Sequence, residues 1–219
     1  DYVSRPLPNP ASEVILNWAP LPDGRVWGST AGIDIDPTDG HIWAYERCGA
    51  SSFGSGVPVN CDTNPVDPIF KFDRNTGEIL ANFGTGIFVT PHGIYVDGEG
   101  NVWVTDAVSD NNIPAGDDRG HPVIKFSPTG EVLMTLGTPG EEGDGPNHFT
   151  SPSDVAVAPN GDVFIADGHN ANGNNRVMKY NSRGEFLMSW GETGYAPGQF
   201  RALHAIAFYP DGRVFALAP

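Results

Sequence analysis

Short segments of alternating apolar and polar residues, each broken by a glycine turn, recur four times along the chain. Each copy predicts a strand, a tight turn and a second strand; the copies cover residues 32–45, 92–106, 154–167 and 205–217. The residues that precede the first strands are spaced 61, 61 and 51 positions apart, and they are Ala31, His92, Ser153 and His204. A recurrence of this length indicates a radial or stacked repeat fold.

The first three copies are followed by a second hairpin with a glycine at its turn, over residues 69–83, 123–136 and 176–190. Four antiparallel strands in this order make one blade of a β-propeller. We therefore predict an all-β chain with an extended lead over residues 1–12 and a propeller over residues 13–219. The propeller would hold three blades and the first hairpin of a fourth. Because these blades are too few for a larger ring, we expect a longer protein; a small four-bladed ring is the alternative.

The blade geometry places several polar residues at one end of the predicted channel. Strands one and two of a blade run in opposite directions, so strand one starts where strand two ends. His92 and His204 precede an axial strand one, whereas Arg47, Asp106 and His169 end or follow strand two. Two imidazoles near the axis form a candidate metal pair, one ligand short of the three typical of catalytic zinc. A structural role for both histidines is the alternative.

Other residues of the repeats have simpler expected roles. Asp106 and Asp167 end strand two and are expected to cap loops by accepting hydrogen bonds from backbone amides. For Arg47, an anion or carboxylate clamp and a surface ion pair with Glu46 are equal alternatives. The aromatic residues expected to pack between blades are Trp43, Trp103, Phe164 and Phe215. The histidines expected at the surface or in loop packing are His41, His121 and His148.

Composition narrows the possible partners. The 219 residues include 28 glycines and 20 prolines, which suits many short strands and turns. A net charge of −15 repels phosphate backbones and anionic lipids, so neither nucleic acid nor a membrane surface is an expected partner. No apolar run is long enough to span a bilayer. The proline-rich start at Asp1 fits a mature protein whose signal peptide has been removed.

The only cysteines are Cys48 and Cys61, which lie in one loop rich in glycine and serine. No second cysteine pair or neighbouring histidine completes a zinc site there. A local disulfide is the natural interpretation in an oxidising compartment, and two unpaired cysteines in a cytosolic protein are the alternative. The expected location is therefore secreted or periplasmic.

Several segments resemble a known family. Pro197-Gly-Gln-Phe200 with Leu203-His-Ala-Ile206, and Asn147-His-Phe149 with Ser151-Pro-Ser-Asp-Val155, are similar to the NHL repeat. Together with the segment from Pro91 to Asp106, they resemble the lyase domain of peptidylglycine α-amidating enzymes. The similarity runs from about residue 14 to residue 215.

The resemblance implies a fold, a reaction and two metals. That family is a six-bladed propeller that splits peptidyl-α-hydroxyglycine into a peptide amide and glyoxylate. It uses a zinc held by three histidines, of which His92 and His204 match two, with the third expected beyond residue 219. A structural calcium would be bound by the backbone carbonyls of Ile33 and Ile94. The family's catalytic arginine matches Arg47.

One departure bears on the activity, because His169 stands where the family has its catalytic tyrosine. The histidine could act as a base, serve as an added metal ligand, or mark a loss of activity. Two functions follow: a zinc-dependent lyase acting on a small peptide or glycine-derived substrate, or a non-enzymatic extracellular module that binds a protein partner. A calcium-dependent lactonase-like propeller ranks last, because histidines and small residues occupy its expected acidic positions.

Overall fold

The chain folds into short antiparallel strands joined by tight turns. The computed structural model describes residues 15–49, 61, 64–108, 118–169, 173–209 and 211–218. The predicted lead over residues 1–12 lies outside these ranges. Within them the regular elements are fourteen strands and one 3-10 turn at Pro22–Gly24. No helix of this described part is long and apolar enough to cross a membrane.

The strands form four sheets, which we call blades 1 to 4. Blades 1 to 3 each contain four strands in sequence order, and blade 4 contains two. All neighbouring strands within a blade are antiparallel. The all-β architecture of four-stranded antiparallel sheets is therefore confirmed.

The strand bounds follow the sequence repeats closely. Blade 1 consists of β1 (Ile33–Ile35), β2 (Ile42–Tyr45), β3 (Ile69–Phe72) and β4 (Ile79–Phe83). Blade 2 consists of β5 (Pro91–Val96), β6 (Val102–Asp106), β7 (Val123–Phe126) and β8 (Val132–Leu136). Blade 3 consists of β9 (Pro152–Val157), β10 (Val163–Asp167), β11 (Arg176–Tyr180) and β12 (Phe186–Trp190). Blade 4 consists of β13 (Ala205–Phe208) and β14 (Val214–Leu217).

Two constraints require glycine at the outer hairpin of blade 2. Gly130 has φ +90°, a left-handed conformation that side chains rarely adopt. A Cβ at this position would also lie 2.6 Å from the Phe83 ring. The turn that reverses the chain thus packs directly on the preceding blade.

The core lies between the blades rather than within one of them. Phe126 of blade 2 is fully buried between two rings, with centroid distances of 5.4 Å to Phe83 and 5.9 Å to Phe88. Similar apolar clusters are packed between blades 2 and 3 and between blades 3 and 4. Every residue of β6 and β10 is buried, so blades 2 and 3 bury both of their faces and depend on the blades beside them.

Three of the four aromatic residues predicted to pack between blades do so. Trp43, Trp103 and Phe164 are buried. The prediction is wrong for Phe215, whose side chain is 48% exposed. Phe215 lies on β14, and no described sheet packs against that strand's outer face.

The first strands of the four blades lie side by side. Strand β5 contacts both β1 and β9, and β13 contacts β9. They line a channel of about 600 Å³ whose walls include His92 and His204. The starts of strands far apart in sequence are thereby brought to one mouth of the channel.

Replacing Phe126 tests whether the packing between blades holds the fold together. Phe126→Ala is expected to lower the free energy of unfolding by about 3–5 kcal/mol, because it removes a fully buried ring. Phe186→Ala removes the same atoms from a residue 39% exposed and should cost about 1 kcal/mol. Urea unfolding of both variants measures the difference, and equal losses would contradict the account.

Candidate metal centre

Three histidines from three blades meet at the mouth of the channel. His92 lies in β5, His169 follows β10, and His204 precedes β13. The ring centroids are 4.3 Å apart for His92 and His169, 4.5 Å for His169 and His204, and 5.3 Å for His92 and His204. One ring nitrogen from each lies within 4.8 Å of the others. We call this group the histidine cluster.

The cluster changes the interpretation of His169. The resemblance predicts the third zinc ligand beyond residue 219, and the residues allow His169 to be a base, a metal ligand or a mark of lost activity. The structure brings a ring nitrogen of His169 within 4.8 Å of one from His92 and one from His204. These three imidazoles of the described residues could hold a metal ion together.

A hydrogen bond across the blade boundary fixes the orientation of His92. Its Nδ1 lies 2.8 Å from the backbone carbonyl of Ser153 in blade 3. A carbonyl can only accept, so Nδ1 carries the proton and Nε2 keeps a free lone pair. This arrangement is typical of metal-binding histidines, whose second ring nitrogen is held by a carbonyl or carboxylate.

The loop that carries His169 is held by a buried carboxylate. Asp167 accepts hydrogen bonds from the backbone N–H of Thr150 at 2.9 Å and of Ser151 at 3.1 Å, and from Arg176 Nε at 3.1 Å. The backbone N–H of His169 then donates to the Ser151 carbonyl at 3.0 Å. The backbone at His169 is therefore tied to the start of blade 3.

Equivalent acids hold the corresponding loops of the other blades. Asp106 accepts from the backbone N–H groups of Val89 at 2.8 Å and Thr90 at 2.6 Å. In blade 1, Glu46 accepts from the backbone N–H of Gly49 at 2.7 Å and pairs with Arg25. The capping roles predicted for Asp106 and Asp167 are confirmed.

The environment keeps two of the imidazoles neutral. Burial, the neighbouring His169 and the charge of Arg47 lower the pKa of His92 to about 3. Burial, the neighbouring His204 and Arg47 lower the pKa of His169 to about 4. Neutral imidazoles offer a lone pair to a cation, so His92 and His169 are in the form that a metal ligand requires.

Arg47 lies beside the cluster. Its Nε donates to the Pro91 carbonyl at 3.0 Å, directly before His92. Its charge contributes to the lowered pKa of both His92 and His169. Glu46 pairs with Arg25 and is fully buried, so it belongs to the loop-holding system described above. The role of Arg47 as an anion clamp stays a prediction.

The channel below the cluster contains the two residues proposed for calcium. Ile33 and Ile94 line the same channel as His92 and His204. Their role as calcium ligands stays a prediction. Sequence reasoning missed Asp154, which also lines this channel and accepts a hydrogen bond from the backbone N–H of Ile206 at 3.0 Å. Burial raises the pKa of Asp154 to about 6.

The predicted disulfide is present next to Arg47. Cys48 and Cys61 are bonded, with their Cα atoms 4.9 Å apart. Both are buried, and the backbone N–H of Cys61 donates to the Val89 carbonyl at 3.4 Å. The disulfide thus connects the loop that follows Arg47 to blade 2.

The remaining histidines lie outside the cluster, as predicted. His148 Nε2 is 3.3 Å from Glu141 in an exposed loop. His121 Nδ1 is 2.7 Å from the Thr150 carbonyl, in a buried loop contact. His41 Nδ1 is 3.7 Å from Asp73. None of these three belongs to a metal-like group within the described ranges.

The donor set fits zinc. Three imidazole nitrogen donors from separate elements, with one tautomer fixed by a second bond, match the three-ligand pattern of catalytic zinc. The cluster ranges from the buried His92 to the exposed His204, so it has an open side. An open side is what a catalytic metal needs for a substrate.

Comparison with known proteins agrees with the sequence motifs. The family model of the NHL repeat matches residues 149–180. The chain contains an NHL repeat and resembles the amidating lyases. It is 36% identical over 201 residues to mouse peptidyl-glycine alpha-amidating monooxygenase, covering 84% of this chain and 19% of that protein.

Two further relatives match most of this chain. It is 29% identical to a probable peptidyl-alpha-hydroxyglycine alpha-amidating lyase of Caenorhabditis elegans, over 87% of this chain and 53% of the relative. It is 28% identical to mouse NHL repeat-containing protein 3, over 98% of this chain and 56% of the relative. The chain thus spans only part of the length of these relatives.

Solved structures support the propeller-like arrangement of the sheets. A gluconolactonase from Xanthomonas campestris has a TM-score of 0.54 at 15% identity, covering 90% of this chain and 56% of that one. A streptogramin B lyase has a TM-score of 0.51 at 17% identity, covering 90% of this chain and 64% of that one. At these identities the likeness shows the fold alone.

The close approach of blades 2 and 3 at the cluster can be tested at Gly93. An added Cβ would lie 2.6 Å from the Ser153 carbonyl oxygen and 2.7 Å from Asp154 Cα. Gly93→Ala is therefore expected to lower the free energy of unfolding by about 1–3 kcal/mol, measured by urea unfolding.

Gly98→Ala is the matched control, because an added Cβ there meets nothing within 4 Å. Its unfolding free energy should change by about 0.5 kcal/mol or less. A Gly93→Ala variant as stable as Gly98→Ala would show that the two inner strands are not packed as described.

Proposed function

We propose that the protein is a zinc-dependent lyase that cleaves peptidyl-α-hydroxyglycine into a peptide amide and glyoxylate. The observation that carries this proposal is the histidine cluster, which lies beside Arg47 in a chain that resembles amidating lyases. The histidine cluster is open on one side, as a site for a peptide terminus requires.

In this proposal, His92, His169 and His204 are the zinc ligands. A bound zinc would act as a Lewis acid that lowers the pKa of the substrate hydroxyl. His169 is thereby assigned as a ligand rather than as the base that replaces the family's tyrosine. The Ser153 carbonyl holds the His92 imidazole in its orientation, and Asp167 bonds the backbone of Thr150 and Ser151 beside the His169 loop.

Arg47 binds the carboxylate of the hydroxyglycine. Its guanidinium group is anchored through Nε on the Pro91 carbonyl, so its charge is fixed beside the cluster. Planar guanidinium groups bind carboxylates in a bidentate manner. The reaction breaks the bond between carbon and nitrogen, converts the hydroxyl to a carbonyl, and transfers the hydroxyl proton to the departing amide nitrogen.

The proposal also includes a six-bladed ring, a calcium site and a location outside the cytosol. Exposed apolar side chains on the free faces of blades 1 and 4, such as Ile33 at 68% and Leu217 at 51%, suit packing against further blades of a six-bladed ring. Calcium would bind the carbonyls of Ile33 and Ile94 in the channel. The disulfide supports a secreted or periplasmic location.

The test measures zinc content and glyoxylate release from an α-hydroxyglycine peptide. The zinc-loaded chain should release glyoxylate, and His204→Ala should weaken zinc binding by more than about 100-fold and abolish release. His148→Ala is the matched control, because His148 lies outside the cluster; it should leave both properties unchanged.

Failure of the zinc-loaded protein to release glyoxylate would contradict the lyase proposal. The second candidate is a non-enzymatic NHL module, favoured by the similarity to NHL repeat-containing protein 3 over 98% of this chain. That function predicts binding of a protein partner that persists when His92 and His204 are replaced.

A further inference from the structure

The hydroxyl of Tyr45 lies where blade 1 joins the cluster. Tyr45 is the last residue of β2 and is fully buried. Its hydroxyl donates to the backbone carbonyl of His92 and accepts from the backbone N–H of Ala31 at 3.2 Å. The hydroxyl thus joins the start of blade 1 to the start of blade 2.

The repeat explains why blade 1 needs this hydroxyl. In blade 2, the His92 side chain bonds the Ser153 carbonyl of blade 3 at 2.8 Å. In blade 3, Ser153 Oγ donates to the carbonyl of Leu203, next to His204, at 2.7 Å. The equivalent residue in blade 1 is Ala31, whose methyl group can make no such bond. Tyr45 supplies the missing link, because it bonds both Ala31 and the next blade.

We propose that Tyr45 is a positioning residue for the metal centre. It fixes the backbone of His92 from the side of blade 1 while Ser153 fixes the imidazole from the side of blade 3. Arg47 bonds the carbonyl of Pro91, the neighbour of the residue that Tyr45 holds. The inference rests on the proposed zinc site, and it assigns a role to a residue that touches neither metal nor substrate.

Comparison of two buried tyrosines tests the inference. Tyr45→Phe removes one oxygen at the cluster. Tyr180→Phe removes one from a tyrosine that is equally buried, on β11, and that donates to the Pro146 carbonyl at 2.7 Å. Zinc affinity is measured by competition with a chelator, together with the visible spectrum of the Co²⁺-substituted chain. Thermal unfolding of both variants reports the structural cost of losing a hydroxyl.

Tyr45→Phe should bind zinc about tenfold more weakly and shift the Co²⁺ spectrum, as losses of outer-shell partners do. Tyr180→Phe should match the parent in both measurements. Equal zinc affinity in Tyr45→Phe and the parent would overturn the inference, even if Tyr45→Phe is less stable. An equal loss of affinity in both variants would also overturn it, because the effect would then be general destabilisation.

Two further results are decisive. A parent chain that binds no zinc refutes the proposed function and the inference with it, and this outcome is visible before any variant is made. If Tyr45→Phe is too unstable to compare, both variants are measured in trimethylamine oxide, which favours the folded state. The same zinc comparison then decides.

Discussion

The close approach of the inner strands is the constraint on which the site depends. At Gly93, the backbone of blade 2 comes so near to Ser153 and Asp154 of blade 3 that no Cβ would fit. At Gly32, an added Cβ would lie 3.1 Å from the Ile94 side chain. At this separation the His92 imidazole and the Ser153 hydroxyl reach backbone carbonyls of the next blade. The apolar packing between blades supplies the energy that holds the strands there.

These hydrogen bonds between blades, together with burial, determine the chemistry of the side chains at the mouth of the channel. The imidazole of His92 is bonded to the next blade, and the loop of His169 is tied down by the buried Asp167. Burial and the nearby positive charge of Arg47 keep His92 and His169 unprotonated. Two neutral imidazoles, one of them oriented by a backbone carbonyl, can donate their lone pairs to a cation without first losing a proton.

Much of this arrangement could be read from the sequence. The repeat spacing predicted the blades, and strand direction alone placed His92 and His204 at the same mouth as Arg47. Both predictions depend on the regular spacing and direction of successive strands. The fully buried Trp43 followed the same logic, whereas Phe215 did not because no described sheet covers β14.

The positions of loop side chains and the contacts between blades could not be predicted, because they follow no repeat in the sequence. His169 sits in a loop close to His204, and the hydrogen bonds that Asp167 accepts beside this loop follow no alternation of residue types. The link between Tyr45 and His92 joins residues 47 positions apart on different blades. One feature of the sequence points to this link. Blade 1 has alanine where blades 2 to 4 have histidine or serine, so another side chain has to make the hydrogen bond to the next blade.

Zinc K-edge X-ray absorption of the metal-loaded chain tests the central claim most directly. The account predicts that three imidazole nitrogens coordinate the zinc at about 2.0–2.1 Å, with one more position filled by a light atom. Replacement of His169 by glutamine should lower the imidazole count to two. A spectrum with two or fewer imidazoles in the parent chain, or one unchanged by that replacement, would contradict the three-histidine centre.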